Sequence, residues 1–194
     1  MPLKSQSSLQ FGFSLIEVLV AVVIIAIGLL GNAGMQALSL NNTSISRNRG
    51  LAAIEADALA SMMHANVGFW QTTAVPSGTN GFTITGSHGG IYSATTISDS
   101  TLNGQVNDCV SSACIPVQMA GYDLKQWGLS LANLLPAGTG LVKCSVVAGT
   151  PVSCVISVSW TENNLALNKV SGTETGTLAS GTSVTQSYTL VVQP

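Results

Sequence analysis

The residues here that could do chemistry are few. Four cysteines, Cys109, Cys114, Cys144 and Cys154, could form disulfides or hold a metal, and His64 and His88 could move protons. One carboxylate, Glu17, stands near the start of an otherwise apolar run from Gly12 to Gly31. An acid inside a membrane span costs about 2.5–3.5 kcal/mol at the helix centre, so a charge in such a run has either a partner or a short path to the headgroups. No Ser or Cys stands in a nucleophile motif with either histidine, and the carboxylates are dispersed rather than paired. No phosphate-cradling glycine loop is present. The residues therefore point away from an enzyme and call for no cofactor.

The cysteines are the most readable group. Folding the chain back about Gly149, in Ala148-Gly149-Thr150-Pro151, sets Val146 opposite Val152, Cys144 opposite Cys154 and Val142 opposite Ile156. The two-residue period of a strand places all six on one face. Cysteines directly opposed in an antiparallel pair are close enough to bond, so Cys144 is expected to join Cys154. Cys109 then closes a small loop with Cys114. Each bridge would contribute about 2–3 kcal/mol through the unfolded chain. The spacing lacks a C-x-x-C unit and no histidine lies nearby, which argues against zinc. Disulfides in turn imply an oxidising compartment such as a periplasm.

The residues before the apolar run qualify the role of Glu17. Met1 to Gly12 is a short polar leader with one basic residue, Lys4, and no apolar core of its own. A secretory signal has its apolar region before the cleavage site; here the apolar run follows Gly12. The junction closely resembles the class III signal of type IV prepilins, in which a glycine is followed by phenylalanine and then by glutamate as the fifth residue. Gly12, Phe13 and Glu17 match all three positions. The resemblance implies that a membrane aspartic peptidase cuts after Gly12 and methylates the new N-terminus at Phe13. It also gives Glu17 a partner. A terminal amine is cationic near neutral pH, and an amine and a carboxylate attract far more strongly in a low-dielectric medium than in water. Glu17 of one subunit could thus pair with the amine of a neighbour during assembly.

Composition agrees with a membrane or surface protein. Charged residues make up 7% of the 194-residue chain, against roughly 25% in average soluble proteins, and mean hydropathy is +0.44. Net charge is −2, and Arg47 and Arg49 are the only clustered cations, which argues against nucleic acid as the main partner. They read as a solvated helix face.

The expected elements follow from periodicity. A first helix runs from about Phe13 to Asn66, uninterrupted by proline and ~80 Å long at 1.5 Å per residue. Its first part, to about residue 35, is apolar all round and suits a membrane or filament core. Beyond that, Leu51, Ile54, Ala58 and Met62 recur at helical spacing, with Glu55 and Asp57 outside the stripe. Strand candidates are Gly81–Thr85 and Ile91–Ile97. A second helix starts near Pro116, carries Ala120, Leu124, Trp127, Leu131 and Leu134 on one face, and ends at Pro136-Ala137-Gly138. Strands follow at Leu141–Val147, Val152–Thr161 and Val184–Val192, with Ile156, Val158 and Trp160, and Tyr188, Leu190 and Val192, pointing inward. The stretch from Glu162 to Thr182 reads as an exposed polar loop. This order predicts an α+β fold, a pilin-like ladle with its long N-terminal helix packed on an antiparallel sheet. The expected organisation is a leader at 1–12, a helix at 13–66 and a periplasmic head at 67–194.

The head also resembles, more loosely, the PilV-type minor pilins: a cysteine pair, a helix with Tyr122, Asp123 and Trp127, the Leu-Pro-containing loop Leu134–Gly138 and the strand Val155–Trp160 with its Val-x-Trp occur in that order. The resemblance implies a minor pilin that helps start a type IV pilus as part of a tip or priming complex, supporting motility and adhesion. Its partners would be other minor pilins, the major pilin, the prepilin peptidase and, in some members, a tip adhesin. It would sit in the inner membrane with its head in the periplasm, then in the pilus. A minor pseudopilin of a type II secretion system shares the N-terminal features and is the alternative.

Overall fold

The computed structural model describes residues 14–72, 75–76, 80–91, 94–163 and 183–194. Helix α1 (Leu15–Ala65) is followed by a short α2 (Val67–Trp70), strands β1 (Phe82–Thr85) and β2 (Thr96–Ile97), a short α3 (Ser100–Asn103), α4 (Pro116–Leu134), and strands β3 (Thr139–Ser145), β4 (Ser153–Asn163) and β5 (Ser183–Val192). The chain divides into two compact units, one ending at Asn42 and one starting at Thr43.

In the first unit α1 is the only element among the described residues. It is long and apolar enough to cross a membrane, and an 18-residue window within it reaches a mean hydropathy of 2.5. Leu15, Ile16, Leu19, Val22, Val23 and their neighbours are exposed. Such a surface is stable in lipid or in an apolar assembly rather than in water.

In the second unit the remainder of α1, with α4, shares one hydrophobic core with a five-stranded antiparallel sheet in the order β2-β1-β3-β4-β5. This is the α+β arrangement that the order of elements predicts. The face that α1 buries is displaced from the expected stripe. Ala52, Ala56, Leu59 and Met63 are fully buried, Leu51 and Met62 are partly buried at the margin, and Ile54 is 64% exposed. Alanine at Ala52 and Ala56 lets the helix approach closely, so the contact line follows the small side chains and the bulky ones flank it. Glu55, expected outside the stripe, is buried.

Helix α4 begins as its sequence predicts. Pro116 occupies the first turn, and the Gln118 side chain reaches back to accept the Ile115 N–H at 3.1 Å. Ala120, Leu124, Trp127 and Leu131 are buried; Leu134, at the end of that series, is 37% exposed. The hairpin register pairs Val142 with Ile156 and Cys144 with Cys154, as the turn about Gly149 requires. Gly149 has φ +83°, a conformation that glycine adopts without steric cost. β3 starts two residues earlier than expected and its ladder closes at Ser145 with Ser153, so Val146 and Val152 lie in the loop.

Other expectations need correction. Of the segment Ile91–Ile97 only Thr96 and Ile97 form a strand, pairing with Thr85 and Ile84. Residues 92–93 lie outside the described residues, and Ile91 is exposed. β4 continues through Glu162 and Asn163, and Glu162 is buried rather than in an exposed loop; the rest of that loop, 164–182, lies outside the described residues. On β5, Val192 is buried and Leu190 packs at the core margin, but Tyr188 is 37% exposed, because β5 is the sheet's edge.

Candidate functional site

Glu17 lies in the first turn of α1, where the Ser14 carbonyl accepts the N–H groups of Glu17 at 3.0 Å and Val18 at 3.3 Å. A carboxylate here complements the partial positive charge of the helix N-terminus. Glu17 is exposed, as are Leu15, Ile16, Val18 and Leu19 around it. The carboxylate is thus presented on an apolar surface, the setting in which an ionic partner from another chain would matter most. Gly12 and Phe13 lie outside the described residues.

The head unit is fastened in several ways. Cys144 and Cys154 are bonded across the hairpin with Cα atoms 4.0 Å apart, and both are buried. Cys109 and Cys114 are bonded across their small loop, with Cα atoms 5.5 Å apart and both half-buried. The Trp127 indole N–H donates to the Glu55 carbonyl at 2.8 Å, and the Ser130 hydroxyl donates to the Glu55 carboxylate at 2.8 Å. Together these tie α4 to the buried face of α1. Burial raises the pKa of Glu55, an effect the Ser130 hydroxyl partly offsets.

Glu162 accepts the Trp160 indole N–H at 3.0 Å and receives both the Nε and a terminal nitrogen of Arg49 at 3.4 Å. Arg49 is therefore half of an ion pair, not simply part of a solvated face; its side chain is 59% exposed, whereas that of Glu162 is 2%. Lys125 buries its ammonium against the carbonyls of Asn103 at 2.9 Å and Gln105 at 2.6 Å, fixing the chain after α3, and burial lowers its pKa. Asp123, two residues away on α4, makes no hydrogen bond among the described residues, and burial pushes its carboxyl up to about 6.

Two of these buried charges carried a signal in the sequence. Leu51, Glu55 and Leu59 are four residues apart, so Glu55 lies on the face of α1 defined by the two leucines. Glu162 is two residues from inward-pointing Trp160, so strand alternation turns it inward too. His88 turns Nδ1 to the Ala132 carbonyl at 3.0 Å, and His64 lies on α1 away from it in the sequence, with an exposed side chain. Among the described residues no group of three or more His, Cys, Asp or Glu side chains converges on a common point.

Residues 7–31 match the family model of the prokaryotic N-terminal methylation motif. No curated protein and no solved structure gives a significant match to the chain. The motif covers the leader, the Gly12–Phe13 junction, Glu17 and the apolar start of α1. Motif and fold together support a type IV pilin-like protein, a pilin or pseudopilin, with a structural rather than an enzymatic role. The motif implies processing by a prepilin peptidase and assembly with other pilins, and with the apolar helix it fits an inner-membrane anchored subunit.

Proposed function

We propose that this chain is a minor pilin that helps initiate type IV pilus assembly within a tip or priming complex, and so supports pilus-dependent motility and adhesion. The observation that carries the reading is the methylation motif over residues 7–31, running directly into the apolar helix. In this account residues 1–12 are a leader removed after Gly12, and Phe13 becomes the methylated N-terminus. Residues 13–35 anchor the subunit in the inner membrane and later join the filament core, while 67–194 form a periplasmic head closed by two disulfides.

Glu17 pairs with the Phe13 amine of a neighbouring subunit as both leave the membrane. That pairing offsets the desolvation of each charge and sets the axial register. What favours a minor pilin is the head: Trp127 on α4 and Trp160 on β4, the residues of the looser resemblance to PilV-type minor pilins, are both core residues. The partners would be other minor pilins, the major pilin and a tip adhesin.

A deletion strain tests this, with surface pili and secreted exoprotein measured on the same cultures. Lost pili with intact secretion is the expected result. Intact pili with lost secretion would make the chain a minor pseudopilin of a type II secretion system.

A further inference from the structure

The two edges of the sheet are finished differently. β2 forms one edge with two residues, and its Ile97 N–H is taken by the Asn103 side-chain oxygen at 2.9 Å. β5 forms the other edge with ten residues, Ser183–Val192. Its ladder with β4 runs without a bulge from Ser183 opposite Asn163 to Val192 opposite Cys154. On such an edge alternate residues turn their N–H and C=O groups away from the sheet. Among the described residues no side chain and no loop backbone bonds to them.

Natural sheets guard a long edge with lysine, proline, a bulge or a cover. β5 has no charged residue, no proline and no glycine. Gln186, Tyr188 and Leu190 stand opposite the buried Trp160, Val158 and Ile156, so they lie on the helix side of the sheet. Cover on that side thins toward the start of the strand. Val192 is buried and Leu190 half-buried, but Tyr188 is 37% and Val184 38% exposed. A row of ladder groups beside an apolar row suits one kind of occupant, an extended chain. Left open, an uncharged strand of this length invites aggregation.

We propose that β5 takes up a sixth strand, an extended segment of another protein that pairs antiparallel with it. The direction follows from the sheet, in which every ladder is antiparallel. The segment is uncharged, because β5 offers no counter-charge. Every second side chain is apolar, to cover Val184 and Tyr188 on the helix side. The alternate ones are small and polar, to match Thr185, Ser187 and Thr189 on the other face. A second copy of β5 fits less well. Antiparallel pairing of β5 with itself puts a twofold axis through the sheet and reverses α1 between the copies, whereas chains inserted through the same N-terminal motif start α1 from one side of the membrane. The proposal rests on the sheet and holds for a pilus or a secretion pseudopilus alike.

The test titrates the full chain, in detergent micelles, into a fluorescent peptide with the sequence Ser153–Thr161 and Cys154→Ser, because β4 is the strand that β5 already accepts. Two further peptides carry N-methyl groups on alternate backbone nitrogens, one on the odd positions and one on the even. Saturable binding of the parent peptide is expected. One methylated peptide should bind as the parent does and the other about tenfold or more weaker, since an added strand uses alternate N–H groups on one side only. Tyr188→Lys, an inward charge of the kind that guards natural edges, should weaken binding by about tenfold or more. Ile54→Lys, exposed on α1, should leave it unchanged. The methylated pair reads the ladder even if Tyr188→Lys disturbs the fold. Absence of saturable binding, or equal binding of the two methylated peptides, would overturn the proposal. Protection of every β5 amide from hydrogen exchange in the chain alone would mean that the edge is already covered, and would overturn it too. Self-association of the chain that Tyr188→Lys abolishes would assign the edge to a second copy instead.

Discussion

Gly140→Ala should destabilise the head by about 2–4 kcal/mol, and the structure says why. Gly140 lies on β3, the central strand, opposite Val158 on one side and Ile84 on the other. A methyl group there would stand inside 3.0 Å of Cζ3 and Cη2 of Trp127 and 3.3 Å from Leu131 Cδ1. The strand cannot bow away without breaking a ladder, and the Trp127 ring is 1% exposed and held to Glu55 by its N–H. Overpacking typically costs about 1–3 kcal/mol, and pulling the indole off the Glu55 carbonyl adds about 1 kcal/mol. At 2–4 °C per kcal/mol for a domain of this size, Tm should fall by roughly 4–16 °C. Thermal unfolding of the full chain in detergent, followed by tryptophan fluorescence, reads this. In a Trp127→Phe background the clashing ring atoms are gone, so the same substitution should cost much less. Gly50→Ala is the control: a methyl there meets nothing within 4 Å and gains helix propensity, so it should stabilise by up to about 1 kcal/mol. A Tm for Gly140→Ala within about 2 °C of wild type would refute the packing argument.

Asp123 gives a pH prediction. Its folded pKa, about 6, lies above the ordinary 3.8, so the folded state holds its proton more tightly. The stability from this group is complete below about pH 4 and is lost as pH rises through about 6. Glu55 acts in the same direction. Asp123→Asn should therefore raise Tm at pH 7–8 and flatten the Tm profile between pH 4 and 6; an unchanged profile would exclude the assignment. Replacing Cys144 and Cys154 together by serine should cost about 2–3 kcal/mol from the chain-entropy effect and more from two buried polar groups. The Cys109/Cys114 double variant, in a half-buried loop, should lose only the first part, and denaturant midpoints compare the two. Glu17→Ala should be cleaved normally but enter filaments poorly, as blots of membrane and sheared-pilus fractions would reveal; normal incorporation would remove the proposed ion pair.

The parts of the fold legible in the sequence are those fixed by local rules. The start of α4 follows from Pro116 and Gln118. The hairpin register follows from the Gly149 turn and two-residue alternation, which together place Cys144 opposite Cys154. The helix face was harder, because Leu51, Ile54 and Met62 are the bulky residues but Ala52 and Ala56 determine how closely α1 can pack. Hydrophobic size and helix approach pull in different directions there. The ion pair of Arg49 with Glu162 joins residues 113 apart, and no local pattern reveals a partner at that distance. β2 is shorter than the expected Ile91–Ile97 because only Thr96 and Ile97 find partners on β1, while Ile91 is exposed. At the candidate assembly site the order of leader, Gly12, Phe13, Glu17 and apolar run is itself the signal.

The most direct test of the pilin account is the mass of the N-terminal peptide from the chain purified out of its native membrane. The account predicts a mature chain that lacks residues 1–12 and begins with N-methylphenylalanine at Phe13. A chain that retains Met1–Gly12, or that is cut elsewhere and left unmethylated, would contradict it.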